Sequence, residues 1–142
     1  MSGSKLKLAL FILRFGIAFF FAIWALEKFI KPETTVAIWK AFYYVDALPL
    51  QASYLIGAIQ MAAVLLFFFG ILKFWTYGLL MVMHLGSTIL SFDRIMDPYT
   101  GSNHLFVAAV PVLGALVALF ILREEDTLFT FSGKGRSKLA DN

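Results

Sequence analysis

The sequence predicts an all-α integral membrane protein, an antiparallel bundle of four transmembrane helices with a short interfacial helix between the first and second. Two observations carry this prediction. Hydrophobic residues make up 61% of the 142 residues, charged residues make up 15%, and the mean hydropathy is +0.83. Soluble domains have roughly 45–50% apolar and 25% charged residues. A soluble chain this short could not bury so much apolar surface.

The second observation is a set of four apolar runs, at residues 6–29, 52–72, 74–92 and 105–122. Each run has roughly the 17–25 residues that a helix needs to cross the hydrocarbon core of a bilayer. Only helices and closed barrels satisfy their backbone groups in lipid, and these runs are too long and continuous for barrel strands. The first run lacks a small-residue cleavage site, so we expect a retained helix rather than a signal peptide.

The longest connection, residues 30–50, also predicts a helix. It contains Pro-Glu-Thr-Thr, a good helix start, and it ends before Pro49. Val36, Trp39 and Tyr43 share one face, and aromatic residues of this kind lie at the headgroup level of a membrane. We therefore expect a short helix on the outer surface. Residues 1–126 are predicted as the transmembrane domain and residues 127–142 as a mobile cytoplasmic tail.

The distribution of lysine and arginine predicts the orientation. With four spans, eight of the twelve basic residues fall on the side of the two termini. The positive-inside rule then predicts a multi-pass protein of the cell inner (plasma) membrane with both termini in the cytoplasm. This asymmetry explains the basic pI of 9.3 without a nucleic-acid partner. The chain has no cysteine, which excludes disulfides, thiol redox pairs and cysteine metal sites.

Polar residues within the apolar runs are candidates for function, because ionisable groups are costly in lipid and face the interior. Arg14, Gln60 and His84 lie about 12–18 Å from the cytoplasmic ends, so they could meet near the midplane. Helical spacing places three further polar residues on the wall of His84: Ser87, Thr88 and Ser91. We take Arg14, Gln60, His84, Ser87 and Thr88 as candidates for binding a ligand or quinone.

Structural alternatives remain open for the main candidates. Arg14 can snorkel to cytoplasmic phosphates, Gln60 can hold two helices together, and His84 can be a satisfied interior polar group. No histidine pair at matching depth supports haem, and no metal site or catalytic motif is expected.

A second polar layer lies near the outer ends of the predicted helices. Its members are Glu27, Lys28, Asp93, Arg94, Asp97, Asn103 and His104. We expect a salt bridge from Asp93 or Arg94 to Glu27 or Lys28, because unpaired charge is costly where it is partly buried. The alternative is an interface ring that only fixes the helix ends.

Two stretches carry a resemblance to a known family. "LRFGIAFFFAIWALEKFIKPE" resembles the opening helix of DoxX-like membrane proteins, with an early arginine and a lysine near the end. "YLIGAIQMAAVLLFFFGILKFWTYGLLMVM" resembles their second and third helices, and the resemblance covers roughly residues 6–122. Arg14 and Lys28 match the family pattern. Ala25 stands where glycine is common and Gln60 where glutamate is common.

The resemblance implies a four-helix inner-membrane protein. Some members are small subunits of quinone-linked oxidoreductases, such as thiosulfate:quinone oxidoreductase, and others are tied to thiol redox homeostasis. We therefore expect a membrane subunit or accessory protein of a quinone-linked oxidoreductase, with quinone as a non-covalent cofactor. The expected partners are the lipid bilayer and a membrane or peripheral oxidoreductase subunit, and a homo-oligomer is left open. The alternatives are a non-catalytic scaffold or assembly protein and a small lipid-binding or transport bundle.

Overall fold

The computed structural model describes residues 2–131, and this part of the chain is all-helical. Helices make up 78% of it and it contains no strand. The elements in order are α1 (Ser2–Ile30), α2 (Pro32–Tyr43), α3 (Leu50–Phe68), α4 (Lys73–Leu90), α5 (Phe92–Met96), a 3-10 helix (Asn103–Ala108) and α6 (Ala109–Ile121). The all-α prediction is confirmed.

Within residues 2–131, three segments are long and apolar enough to cross a membrane: Gly3–Ile30, Leu50–Phe68 and Asn103–Ile121. These segments correspond to the first, second and fourth apolar runs, and their length and composition are typical of a membrane protein. Helix α4 is 18 residues long, but it contains Lys73, Tyr77 and His84 and is not apolar enough to be counted with them.

The four long helices pack side by side. Helix α1 lies along α3, α4 lies along α6, and contacts between α3 and α4 and between α1 and α6 complete the arrangement. The helices share one apolar core, whose members include Ile17, Phe21, Val64, Phe67, Leu80, Leu116 and Leu119. The two helices α1 and α3 are in close contact at Gly57, where an added Cβ would lie 2.9 Å from both Lys28 Cβ and a ring carbon of Phe29.

The two ends of this arrangement differ. The start of α1, the turn at residues 69–72 and residues 122–131 lie together at what we call the inner end. There the Phe131 N–H donates to the Phe69 carbonyl at 3.0 Å, and the rings of Phe11 and Phe129 lie 5.0 Å apart. At the opposite, outer end α2 meets the 3-10 helix, where the ring of Phe42 lies 6.3 Å from that of Phe106.

The connection after α1 contains the predicted helix. Helix α2 begins with Pro32 in its first turn, where the missing N–H costs nothing, and has Glu33 there to complement the helix dipole. It ends at Tyr43, and the next residue, Tyr44, has a φ of 56°. Pro32 and Thr35 are buried, and α2 packs against α1 and α3. The helix therefore covers the outer end; its position relative to a membrane stays a prediction.

The segment after α6 packs against the inner end. Residues 127–131, the first part of the predicted mobile tail, contact α1 and the turn at residues 69–72. The rest of the predicted tail lies outside the described residues. The predicted domain boundary after residue 126 thus falls within a packed segment.

Candidate functional site

Arg14 of α1 is fully buried and binds residues 126–129, which follow the last helix. Its Nη1 lies 2.7 Å from Oδ1 of Asp126, and neither side chain is exposed. Its Nη2 donates to the carbonyl oxygens of Leu128 and Phe129. Arg14 therefore does not snorkel toward solvent. It joins the first helix to the segment that follows the last one.

Two residues of α4 complete this group. The Tyr77 hydroxyl donates to Oδ2 of Asp126 at 2.7 Å, and Lys73 Nζ donates to the Asp126 backbone carbonyl at 2.7 Å. We call Arg14, Lys73, Tyr77 and Asp126 the Arg14 cluster. A buried ion pair is tolerated when hydrogen bonds satisfy its remaining donors and acceptors. In the Arg14 cluster Oδ2 of Asp126 accepts from Tyr77, whereas Oδ1 is held by the ion pair with Arg14 and has no hydrogen bond among the described residues. Arg14 Nε has no hydrogen-bond partner among the described residues.

Local backbone geometry brings the C-terminal segment to Arg14. Gly70 has a φ of +64°, and a Cβ there would lie 2.6 Å from Thr130 Cγ2, so glycine lets the segment approach the turn. Phe129 has a φ of 53°, an uncommon conformation for a bulky residue. The turn at Phe129 places its ring on Phe11 while its carbonyl faces Arg14.

His84 forms a second, separate polar site. It is buried, and its Nε2 lies 2.9 Å from the carbonyl oxygen of Ala109 on α6. Because a carbonyl oxygen only accepts hydrogen bonds, Nε2 carries the proton, and Nδ1 of the neutral ring is an acceptor. Among the described residues Nδ1 has no hydrogen-bond partner. Phe20 and Phe21 meet the ring edge-on at 5.9 and 6.0 Å.

The candidates Arg14, Gln60 and His84 do not form one site. Arg14 lies beside Tyr77, and Phe21 lies beside His84. Phe21 is seven residues after Arg14 on α1, and His84 is seven residues after Tyr77 on α4. Arg14 and His84 are therefore separated by about 10 Å along the helix axes. Gln60 is buried on α3 and lies at the same height as His84. Phe67, seven residues after Gln60, is in ring contact with Tyr77, seven residues before His84. No hydrogen bond joins Gln60 to His84 in the described structure.

The polar stripe beyond His84 reaches the interior only in part. Thr88 is half-buried and its hydroxyl donates to the His84 carbonyl at 2.7 Å. Ser87 is exposed and donates back to the Met83 carbonyl at 3.2 Å. Three residues turn a helix by 300°, so Ser87 points about 60° away from His84. Ser91 is half-buried at the end of α4.

The outer layer does not form the expected salt bridge, so that prediction is wrong. The ion pairs found in residues 2–131 are Arg14 with Asp126 and Arg123 with Glu124. The guanidinium of Arg94 instead lies over two rings, 4.9 Å from Phe42 and 5.2 Å from Phe106. Arg94 is exposed, so its charge stays hydrated while its plane holds α2 against the 3-10 helix.

The other members of the outer layer make local contacts or face outward. Lys28 Nζ donates to the Trp24 carbonyl at 3.0 Å, and Asn103 donates to the Asp97 carbonyl at 3.1 Å. Glu27 is half-buried, and Asp93, Asp97 and His104 are exposed. The described residues contain no group of three histidine or acidic side chains that could hold a metal ion.

An apolar groove runs between α1 and α6. It has a volume of about 390 Å³ and is lined by Ala9, Ile12, Leu13, Gly16, Ile17, Pro111, Val112 and Ala115. Its outer limit, at Ile17 and Pro111, lies within one helical turn of Phe20 and Ala109. Those two residues contact His84, so the groove leads toward the imidazole.

The sequence pattern did not reveal Asp126 or its role. Asp126 belongs to the charged run Arg-Glu-Glu-Asp after the last apolar run, which is typical of a solvated connection. Tyr77 carried a signal, because it lies seven residues before His84 on the same helical face. Comparison of this chain with protein-family models, with curated proteins and with solved structures finds no match.

Proposed function

We propose that this chain is a DoxX-like inner-membrane protein with four transmembrane helices, acting as a small membrane subunit or accessory protein of a quinone-linked oxidoreductase. The observation that carries the proposal is His84. The imidazole is buried, its Nε2–H donates to the Ala109 carbonyl, its Nδ1 has no hydrogen-bond partner among residues 2–131, and the apolar groove ends within one helical turn of Phe20 and Ala109, which contact the ring. The family resemblance and the apolar helices support the membrane part.

The position of α4 supports a fourth span. It runs from the inner end to the outer end beside α3 and α6, and its 18 residues extend about 27 Å. Lys73, Tyr77 and His84 are buried, whereas Leu79, Val82 and Ile89 are exposed. Polar groups turned inward and apolar groups turned outward are what lipid requires of a spanning helix.

Four spans would place the inner end in the cytoplasm. Lys5, Lys7, Lys73 and Arg123 lie at this end, and the sequence adds Lys134, Arg136 and Lys138 after the described residues. A test of the topology can use single cysteines, because the chain has none. We expect Ser4→Cys and Thr127→Cys to react with an impermeant maleimide only from the cytoplasmic side, and Glu33→Cys and Asp46→Cys only from the other. Labelling of both pairs from one side would contradict four spans.

His84 can exchange a proton with a quinone. Its unpaired Nδ1 accepts the hydrogen bond of a quinol hydroxyl, and the protonated ring donates to a quinone carbonyl. The partner oxidoreductase would supply or take the electrons. The volume of the groove is within the range of small-molecule sites, and its apolar wall suits an isoprenoid quinone.

The decisive variant is His84→Gln. A glutamine amide can still donate to the Ala109 carbonyl, but it lacks the Nδ1 acceptor. Binding of decylubiquinol can be followed through Trp24, whose ring lies 6.4 Å from Phe20, in a Trp39→Phe/Trp75→Phe background. We expect saturable quenching that His84→Gln abolishes without changing the melting temperature. The control His104→Gln makes the same change at an exposed histidine and should bind normally. Unchanged binding by His84→Gln would refute the quinone site.

The partner can be tested by purification in mild detergent. We expect an oxidoreductase to co-purify, and its quinone-dependent turnover should fall in the His84→Gln variant. Purification of the chain alone would count against the subunit role.

A scaffold without chemistry is the second candidate. The specific observation in its favour is the Arg14 cluster, whose charged groups bind one another and the chain's own carbonyls. A scaffold predicts that no quinol binds to the wild-type chain.

A further inference from the structure

The buried interior of the bundle differs on the two sides of His84. Inward, between His84 and Tyr77, the buried residues of the long helices within residues 2–131 are apolar and each is at most 6% exposed. They include Ile17, Ala18, Ala63, Val64, Phe67 and Leu80. Water is not retained in an interior that offers it no polar partners. The inner half of the bundle therefore separates His84 from water at the inner end.

Outward of His84 the buried residues are small or polar. Within residues 2–131 they are Ala25, Pro32, Thr35, Ser53 and Gly57. Helical spacing places Ser53 and Gly57 on the same face of α3 as Gln60, which lies at the height of His84. Thr35 comes from α2, which packs against α1 and α3. Small and polar groups thus lead from His84 to the outer end.

Two of these buried side chains have unused hydrogen-bonding groups. Gln60 is 7% exposed and Thr35 is 4% exposed, and neither side chain forms a hydrogen bond within residues 2–131. A helical threonine can donate to the carbonyl four residues before it, but Thr35 does not. Nδ1 of His84 is unpaired among the same residues. Buried polar groups without a protein partner are the groups that ordered water satisfies.

No second ionisable group lies beside His84. Within four residues of its height on α1, α3, α4 and the segment leading into α6, the sequence contains no other titratable residue. The next ones are Arg14 and Tyr77 on the inward side and, on the outward side, Glu27, Lys28, Tyr54, Asp93 and His104. A proton that leaves the imidazole therefore has to pass to water.

We propose that a chain of water molecules beneath α2, bound by Gln60 and Thr35, connects Nδ1 of His84 to the outer side; we call it the water path. When a quinol in the apolar groove gives its electrons to the partner oxidoreductase, its hydroxyl proton passes to Nδ1 and then along the water path. Reduction of a quinone draws a proton in the opposite direction. This role rests on the proposed quinone chemistry, whereas the water path itself can be tested without quinone.

Silver ion, added to either side of uniformly oriented proteoliposomes, tests the water path. It is a small hydrated cation that binds a thiolate, and the chain has no cysteine of its own. Glu33→Cys, at an exposed position of α2, identifies the outer side. We expect silver on that side alone to block later maleimide labelling of Gln60→Cys in SDS. Reaction from the opposite side, from both sides or from neither would overturn the proposal.

Val64→Cys is the matched control for Gln60→Cys. Val64 lies one turn inward on the same face of α3 and is 3% exposed, so it should not react from either side. Reaction at the rate of Gln60→Cys would mean that silver enters the bundle without a directed path. Thr35→Cys is a second reporter and should react from the outer side, which keeps the test decisive if Gln60→Cys fails to fold. Melting temperatures check the folding of each variant.

Thr35→Val tests whether the water path reaches the imidazole. Valine keeps the shape of threonine and removes its hydroxyl. Deuterium exchange at the ring Cε1–H needs a protonated imidazole with water beside it, and mass spectrometry of peptides resolves His84 from the exposed reference His104. We expect Thr35→Val to slow exchange at His84 about fivefold, the factor that corresponds to one lost hydrogen bond.

Thr34→Val makes the same change at the neighbouring, half-buried residue and should leave the exchange at His84 unchanged. Equal exchange rates in Thr34→Val and Thr35→Val would exclude Thr35 from the water path.

Failure of the water path and failure of the quinone site give different results. If Gln60→Cys does not react with silver while quinol still quenches Trp24, the water path is wrong and the quinone site stands. If silver reacts from the outer side only and quinol does not quench Trp24, the water path stands and its role in quinol chemistry is wrong.

Discussion

Nη1 of Arg14 and Oδ1 of Asp126 lie 2.7 Å apart, and neither side chain is exposed. The arginine belongs to the first helix and the aspartate to the segment after the last helix, so the pair closes the inner end. Because both charges are removed from solvent, each depends on the other. Removal of either side chain would therefore leave the other charge buried and unpaired.

Asp126→Ala and Arg14→Ala should each lower the free energy of unfolding by about 3–5 kcal/mol, because each leaves one buried charge unpaired. The free energy of unfolding can be measured in mixed micelles with increasing SDS. Glu124→Gln is the matched control, since Glu124 is 81% exposed in its ion pair with Arg123 and should contribute little.

The double variant Arg14→Met/Asp126→Leu separates charge from packing. It should recover most of the lost stability, because apolar residues of similar volume can replace a buried ion pair. If Asp126→Ala unfolds no more easily than Glu124→Gln, the pair does not stabilise the inner end.

Tyr77→Phe should lower the free energy of unfolding by about 1.5–3 kcal/mol. The phenol donates to Oδ2 of Asp126 at 2.7 Å, and hydrogen bonds to charged groups have about this value. Tyr99→Phe removes a hydroxyl from a residue that is 94% exposed and should have no effect. The same SDS titration compares the two, and equal stabilities would mean that the Tyr77 hydroxyl does not support Asp126.

Gly57→Ala should destabilise the contact between α1 and α3 by about 1–3 kcal/mol, the usual effect of overpacking. Its Cβ would lie 2.9 Å from Lys28 Cβ, a backbone-anchored atom that cannot rotate away. Gly86→Ala on α4 is the control, because a Cβ there meets no atom within 4 Å. The melting temperature of Gly57→Ala should be below that of the wild type, and that of Gly86→Ala should equal or exceed it. The reverse order would show that α1 and α3 do not make this contact.

Arg94→Lys should weaken the attachment of α2 at the outer end by about 0.5–1 kcal/mol. Lysine keeps the charge but lacks the planar guanidinium that lies over Phe42 and Phe106. Limited proteolysis within α2 and the emission of Trp39 report the detachment. The control Lys40→Gln changes the charge of α2 without contacting these rings, so proteolysis of α2 and the emission of Trp39 should not change. If Arg94→Lys also leaves both signals unchanged, the contact of Arg94 with the two rings does not hold α2.

The sequence correctly predicted that three polar side chains of the long helices are buried, whereas Ser87 of the predicted polar stripe is exposed. Arg14, Gln60 and His84 were assigned to the interior because each interrupts an apolar run, and all three are buried. The pattern also predicted α2 from its proline start and aromatic face. These are local properties, since a repeat of 3.6 residues and a terminal signal depend only on neighbours along the chain.

The partners of those side chains came only from the tertiary structure. Asp126 lies in a charged stretch that resembles a solvated turn, and nothing local marks it as the partner of Arg14. The Ala109 carbonyl that binds His84 has no side-chain signal at all, because any residue supplies a backbone acceptor.

The same limit explains the error in the outer layer. Opposite charges at similar heights predicted a salt bridge, but Arg94 packs on two aromatic rings that arrive from α2 and the 3-10 helix. A sequence gives the position of a residue along its own helix and the direction in which its side chain points. Which groups meet depends on how the helices and connections pack around one core, and that packing is a property of the whole chain.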